Sequence, residues 1–147
     1  MKLSTRTRYG MRALLDLSIN SKGSPVQLKE IASRQQISLS YLEHLMIPLI
    51  SAGIVKSTRG SKGGIELAKP PELIRLKEIL DVLEGPLSPV DCLKDDSSCP
   101  RSRVCATRDI WDDMRKAMEN VLISNTLQDL VNRQKVKEGN PENMYYI

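Results

Sequence analysis

Apolar positions recur every three to four residues from Thr5 to Asn20: Tyr9, Ala13 and Leu17 lie on one line, and Met11, Leu14, Leu15 and Ile19 widen it. That is the period of an amphipathic helix, and Ser4 or Thr5 can cap its start. Ser21-Lys22-Gly23-Ser24-Pro25 interrupts the pattern, which resumes from Val26 to Gln35 with Leu28, Ile31 and Ala32 facing inward. After Gln36-Ile37 a third helix is expected. Ser38 or Ser40 can cap it, and Ser40-Tyr41-Leu42-Glu43 fits a capping box, in which serine and glutamate satisfy each other's free backbone N–H groups. Leu42, Leu45, Met46 and Leu49 then form a core-facing stripe, and Pro48 should bend the helix beyond its first turns.

Gly53 closes that helix, and the period changes. Ile54-Val55-Lys56-Ser57 and Ile65-Glu66-Leu67 are short β-type runs around Thr58-Arg59-Gly60-Ser61-Lys62-Gly63-Gly64, a glycine-rich basic hairpin tip. Pro70-Pro71 follows, and Leu73 to Leu83 is helical again, with Leu76, Ile79, Leu80 and Leu83 on one face. From Gly85 to Thr107 neither period holds. The longest periodic segment runs from Thr107 to Ile123 and carries Ile110, Trp111, Met114, Ala117, Met118, Val121 and Leu122. The stripe is wide enough to serve both the chain's own core and a second chain. Asn125-Thr126 can cap a short helix from Leu127 to Val131, and Asn132 to Ile147 is polar, loose or docked only in a dimer.

The expected fold is mainly α with a small β-hairpin: a winged helix-turn-helix domain over 1–84, a cysteine-bearing loop over 85–106, a dimerisation helix and short helix over 107–131, and a C-terminal tail over 132–147. In a helix-turn-helix the second helix enters the major groove with its N-terminal residues leading. That geometry faces Ser38, Ser40, Tyr41, Glu43 and His44 outward. Glu43 can accept from a cytosine amino group, and the serines and His44 can reach base edges or phosphates. In the hairpin, Arg59 suits a narrow minor groove and Lys62 adds charge at the tip.

Charge distribution sharpens this picture. Residues 1–70 hold eleven Lys or Arg against four Asp or Glu, a net +7, and residues 71–147 hold eleven against fourteen, a net −3. A basic half joined to an acidic half suits a polyanion reader joined to an assembly module, although a solvated basic face has the same composition. With no Phe and one Trp, stacking of single-stranded bases is disfavoured. No apolar signal core or membrane-spanning run is present, so a cytoplasmic location and no membrane partner are expected.

All three cysteines, Cys92, Cys99 and Cys105, lie in the aperiodic loop with spacing C-x6-C-x5-C. This is not the C-x2-C pairing of common zinc ribbons. In a reducing compartment an odd, clustered set points to a metal or iron–sulfur cluster, a thiol redox switch, or no role at all. Lys94, Arg101, Arg103 and Arg108 would favour thiolate and offset a cluster's negative charge. A cysteine nucleophile needs a nearby base, and the lone histidine, His44, belongs to a different element, so an enzyme is disfavoured.

The stretches Leu3 to Leu17, Ile37-Ser38-Leu39-Ser40-Tyr41-Leu42-Glu43, Arg59-Gly60-Ser61-Lys62-Gly63-Gly64 and the three-cysteine loop resemble the bacterial winged-helix regulator family of IscR, NsrR and CymR. The likeness runs over about residues 1–131 and is nearest to the iron–sulfur cluster regulator IscR. It implies a homodimeric transcription factor that binds a double-stranded operator, carries a 2Fe-2S cluster and controls cluster-assembly genes. By that resemblance Cys92, Cys99 and Cys105 are the ligands. Ser40, Glu43, His44 and Arg59 lie at the DNA, and Glu43 helps choose between operator classes. One position departs: the family's cluster regulator has a ligating histidine three residues after the last cysteine, where this chain has Arg108, which stays protonated and cannot ligate. Asp91, Asp95, Asp96, Thr107, Asp109 or a residue of a second subunit could complete the shell, and the likeness to NsrR, which carries a four-iron cluster, keeps a 4Fe-4S cluster open as the alternative. A cluster-free regulator acting as a thiol redox sensor or through a protein partner is the competing reading.

Overall fold

A computed structural model describes residues 1–139. The first helix, α1 (Thr5–Asn20), starts at Ser4, whose hydroxyl accepts from the Thr7 backbone N–H. Its inner face buries Ala13, Leu14 and Leu17. Gly10 is buried on the same helix because α4 (Leu76–Leu83) comes close: a Cβ there would meet the Leu83 side chain at 2.5 Å.

α2 (Leu28–Gln35) starts two residues later than the periodicity predicts. Val26 is withdrawn from the helix into an antiparallel bridge with Ile65, each N–H donating to the other's carbonyl at 2.8 Å. Gln36 takes a left-handed conformation, φ 55°, which turns the chain and buries Ile37 before α3 (Leu39–Ser51). Ser38 is the N-cap of α3, accepting from the Tyr41 N–H at 3.2 Å. The capping box expected from Ser40 and Glu43 therefore does not form. The helix begins two residues earlier than that box needs, so Ser40 sits inside the first turn with its side chain exposed. α3 runs on through Pro48 to Ser51 and buries Leu42, Leu45, Met46 and Leu49.

β1 (Val55–Thr58) and β2 (Gly64–Leu67) form the hairpin, with Val55 opposite Leu67 and Thr58 opposite Gly64. At Gly64 a Cβ would lie 2.4 Å from the Val26 carbonyl oxygen, so only glycine lets the hairpin lie against the segment before α2. The helix expected from Leu73 is shorter. Pro71–Leu73 is a 3-10 turn, and Ile74 and Arg75 are extended because their backbones pair with the segment before the last helix. Leu76 N–H donates to Asn125 at 3.0 Å and Leu127 N–H to Ile74 at 2.9 Å.

α5 (Ala106–Ser124) has no buried residue along its 19 positions. α6 (Leu127–Glu138) packs on α1 and is longer than the expected Leu127–Val131. Thr126 and Asp129 cap it reciprocally, and Leu127 and Val131 are buried beneath it. The tail expected from Asn132 is thus helical as far as Glu138, and 140–147 lie outside the described residues. The core is aliphatic throughout, built from α1 to α4, the hairpin and Leu127. Burying each Leu or Ile side chain contributes about 1.5–3 kcal/mol.

Candidate functional site

Two regions carry candidate chemistry. On α3, Ser40, Glu43 and His44 are exposed, spaced so that they share one face of the first turns. Ser38 is exposed but its hydroxyl is engaged as the cap. Tyr41 is half-buried, edge-on to Tyr9 with ring centroids 6.1 Å apart, and Arg12 lies over the Tyr9 ring at 5.4 Å. Arg59 and Lys62 are exposed at the hairpin tip. Because Val26 and Ile65 pair, the hairpin is fixed beside the starts of α2 and α3. A hollow of about 300 Å³ between them is lined by Gln27, Lys29, Glu43, Ser57 and Thr58 among others. Apart from Glu43, these hollow residues were not legible from periodicity, since the bridge that gathers them spans 39 positions between Val26 and Ile65.

A buried polar group holds this unit together. The Asp16 carboxylate, with its side chain 3% exposed, accepts from Arg34 at 2.7–3.1 Å, from Gln35 at 2.9 Å and from Asn20 at 3.3 Å. Its hydrogen bond to Asp16 is the main reason the Arg34 guanidinium is held above its ordinary range. Arg12 donates to the Gln35 carbonyl at 2.7 Å and to its side chain at 3.1 Å, so α1 is fastened to the end of α2. The one sequence signal was a carboxylate inside an apolar stripe, between Leu14 and Leu17.

The thiol loop leaves α4 at Glu84. That carboxylate accepts from the Ser4 hydroxyl at 2.6 Å, the Ser4 N–H at 3.2 Å and the Thr7 hydroxyl. The Ser4 and Thr7 hydroxyls hold it below the usual carboxylate range. Cys92 lies in a 3-10 turn, Asp91–Leu93, and a second turn, Asp96–Ser98, is capped by Asp95, which accepts from Ser97 N–H and Oγ. The buried Ser102 hydroxyl bridges the Asp96 and Cys99 carbonyls at 2.9 and 2.8 Å. Cys105 is the N-cap of α5 and its Sγ is 3.1 Å from the Thr107 hydroxyl. The Thr107 hydroxyl first, then the Arg108 backbone N–H and other smaller effects including the Arg101 charge, hold the Cys105 thiol below its ordinary range. Arg108 reaches back from α5 to the Cys92 carbonyl at 3.0 and 3.3 Å and pairs with Asp96.

All three cysteines are half-buried and none forms a disulfide. Thiols of this kind, one of them biased to thiolate, suit a soft metal or an iron–sulfur cluster. Their arrangement is not a preformed cage: among the described residues no three His, Cys, Asp or Glu side chains stand together as a metal site. The only thiol hydrogen bond among the described residues is that of Cys105 to Thr107, so no base is paired with a cysteine.

α5 presents an apolar side that no other described residue covers. Ile110 is 56% exposed, Met114 45% and Val121 62%. Beside it an apolar hollow of about 260 Å³ is lined by Leu3, Leu80, Leu87, Met118 and Leu122 among others. The same helix carries the ion pairs of Asp112 with Arg115 and Lys116, at 2.6 and 2.8 Å, and of Arg115 with Glu119 at 3.1 Å. No helix among the described residues is long and apolar enough to cross a membrane.

A family model, Rrf2, described as an iron-dependent transcriptional regulator, matches residues 3–133. Protein rrf2 of Nitratidesulfovibrio vulgaris is 45% identical over 131 residues, covering 89% of this chain and 87% of its own. The HTH-type transcriptional regulator CymR of Bacillus subtilis is 40% identical over the full length of both chains. Among solved structures, T. potens IscR superimposes with a TM-score of 0.78 at 37% identity, covering 99% of this chain and 97% of that one.

Proposed function

This chain belongs to the Rrf2 family of transcriptional regulators, and from that membership we propose a homodimer that reads a near-palindromic DNA duplex and senses iron–sulfur cluster status through Cys92, Cys99 and Cys105. Its targets on this reading are cluster-assembly genes. The single observation that carries the sensing part is the placement of the thiols: three half-buried, unpaired cysteines on one loop strung between the end of α4 and the first turn of the uncovered helix α5.

On the DNA side, Ser40, Glu43 and His44 enter the major groove, with Tyr41 supporting them from its place against Tyr9. Ser38 fixes the helix start, and its exposed position allows a phosphate contact beside the cap. Arg59 and Lys62 carry the hairpin to the neighbouring groove and backbone. Gln27 and Lys29, on the rim of the same hollow as Glu43, extend the surface toward phosphate.

Two such faces are set at one spacing when α5 pairs with α5 of a second copy, covering Ile110, Met114 and Val121. Cys92, Cys99 and Cys105 would hold the cluster, 2Fe-2S first and 4Fe-4S as the alternative, and a bound cluster supplies iron- and redox-dependent occupancy together with a covalent tie between the thiols. The loop joins α4 to α5, so its conformation sets how α5 stands on the reading domain. Occupancy changes DNA affinity only as far as it favours one setting of that joint over another.

A visible spectrum of anaerobically purified or reconstituted protein tests this, read beside operator affinity with and without iron and sulfide. Charge-transfer bands that Cys99→Ala abolishes, and an affinity that moves with them, are expected. A protein that stays colourless would leave the cluster-free reading, a thiol redox sensor or a regulator acting through a protein partner.

A further inference from the structure

Arg108 makes two contacts that the sensing proposal does not use. Its guanidinium donates twice to the Cys92 carbonyl, at 3.0 and 3.3 Å, and pairs with the Asp96 carboxylate. Its side chain is 27% exposed against 74% for Asp96, so the cation is the sheltered partner and the carboxylate the outer one. Arg108 stands in the first turn of α5, three residues beyond Cys105, the cap of that helix. The guanidinium therefore ties the first-cysteine end of the loop and its second 3-10 turn to the segment that carries the last cysteine.

We infer that Arg108 is a clasp: a positioning residue that closes the loop from Cys92 to Cys105, using the fork geometry that lets one guanidinium serve a carbonyl and a carboxylate together. The loop's other side-chain hydrogen bonds are short-range. Asp95 holds only Ser97, and Ser102 bridges only Asp96 and Cys99. Arg108 spans 16 positions to Cys92. Without it, nothing else described binds the Cys92 turn to α5 by a side-chain hydrogen bond. Lysine is not an equivalent replacement, because a single ammonium lacks the planar fork. The clasp deepens the thiol-site reading but does not depend on which group, if any, the thiols take.

The test is site-resolved alkylation of the colourless, reduced full-length protein, with each cysteine followed by mass spectrometry. Breaking the clasp should raise the rate at Cys92 in Arg108→Ala by about 10-fold, the scale of one lost charge-assisted contact that limits local opening. Asp96→Asn keeps the carbonyl arm and should give about 3-fold. The double variant should be no faster than Arg108→Ala, because both changes undo one device. Arg108→Lys should recover part of the protection. Asp96 is exposed, so its variant remains informative even if Arg108→Ala does not fold. An unchanged Cys92 rate in Asp96→Asn and Arg108→Lys, or effects that multiply in the double variant, would overturn the clasp. Reconstitution of the wild-type chain with iron and sulfide is read separately: a colourless product with an intact clasp would sink the cluster reading alone.

Discussion

Replacing Glu84 by alanine should loosen the junction where the thiol loop leaves the reading domain. One carboxylate oxygen receives three donors from the start of α1: the Ser4 N–H, the Ser4 hydroxyl and the Thr7 hydroxyl, and Thr7 is 2% exposed. A hydrogen bond to a charged group contributes about 1.5–3 kcal/mol, and three on one oxygen count as roughly two, or about 4 kcal/mol. Solvent reaches the half-buried carboxylate, which halves that figure to about 2 kcal/mol. For a chain of this length the loss lowers Tm by about 4–8 °C. The pH dependence has a definite sign. The folded carboxyl is held below its ordinary value of 4.5, so its contribution is complete above that value and is lost as pH falls through the lower folded value. Thermal and urea unfolding at pH 7, 4.5 and 3.5 should show a wild-type advantage that narrows with acid. Glu84→Gln keeps an acceptor without a charge and should fall between the two at pH 7. Equal midpoints for wild type and Glu84→Ala at pH 7, or a gap of constant size down to pH 3.5, would refute the tether.

Arg59→Ala should weaken operator binding by about 10-fold and lower the slope of log affinity against log salt by about one, measured by fluorescence anisotropy. Glu43→Ala should relax discrimination between operator sequences by about 5- to 50-fold while leaving the salt slope in place, which a competition series with altered sites checks. Met114→Asp combined with Val121→Asp should give a folded monomer by sedimentation, since neither position lies in the protein's own core; a dimer surviving both changes would place the interface elsewhere. Gly64→Ala should cost about 2 kcal/mol or more, because the new Cβ meets the Val26 backbone and not a movable side chain, and urea unfolding measures it.

Periodicity located α1, α3 and α5 because each has a long run of apolar residues at helical spacing and a recognisable start. It placed the second helix two residues early and the fourth three residues early, since Val26, Ile74 and Arg75 are apolar or helix-compatible by themselves. What removes them from helices is backbone pairing with Ile65, Asn125 and Leu127, partners far along the chain. The Ser40–Glu43 capping box failed for a local reason: Ser38 offers the same chemistry two residues earlier, and the helix starts there. At the thiol loop the cysteines were legible as a group, but the contacts that shape it were not. Arg108 read as a departure from a ligand pattern, and its hold on Cys92 and Asp96 depends on a fold-back across turns that have no repeating pattern.

α5 is stitched to the reading domain at its C-terminal end, where Leu76 and Leu127 bond across to Asn125 and Ile74, and Thr126 and Asp129 cap the helix that follows. At its N-terminal end it is held through the loop, by Arg108 on one side and by Glu84 on Ser4 and Thr7 at the other. On the proposed reading, the tilt of α5 about its pinned end is the coordinate that the loop would set. If α5 pairs with α5 of a second copy as proposed, displacing the tether by a fraction of an ångström would move that copy's reading face by more, because the lever is a 19-residue helix, about 28 Å long. On that reading the thiols lie at the end where small changes would have the largest effect on spacing. If Glu84→Ala or Arg108→Ala altered the preferred half-site spacing of the cluster-free protein, that coordinate would be the operative one; if both left spacing untouched while changing loop accessibility, the loop would regulate by some route other than the stance of α5.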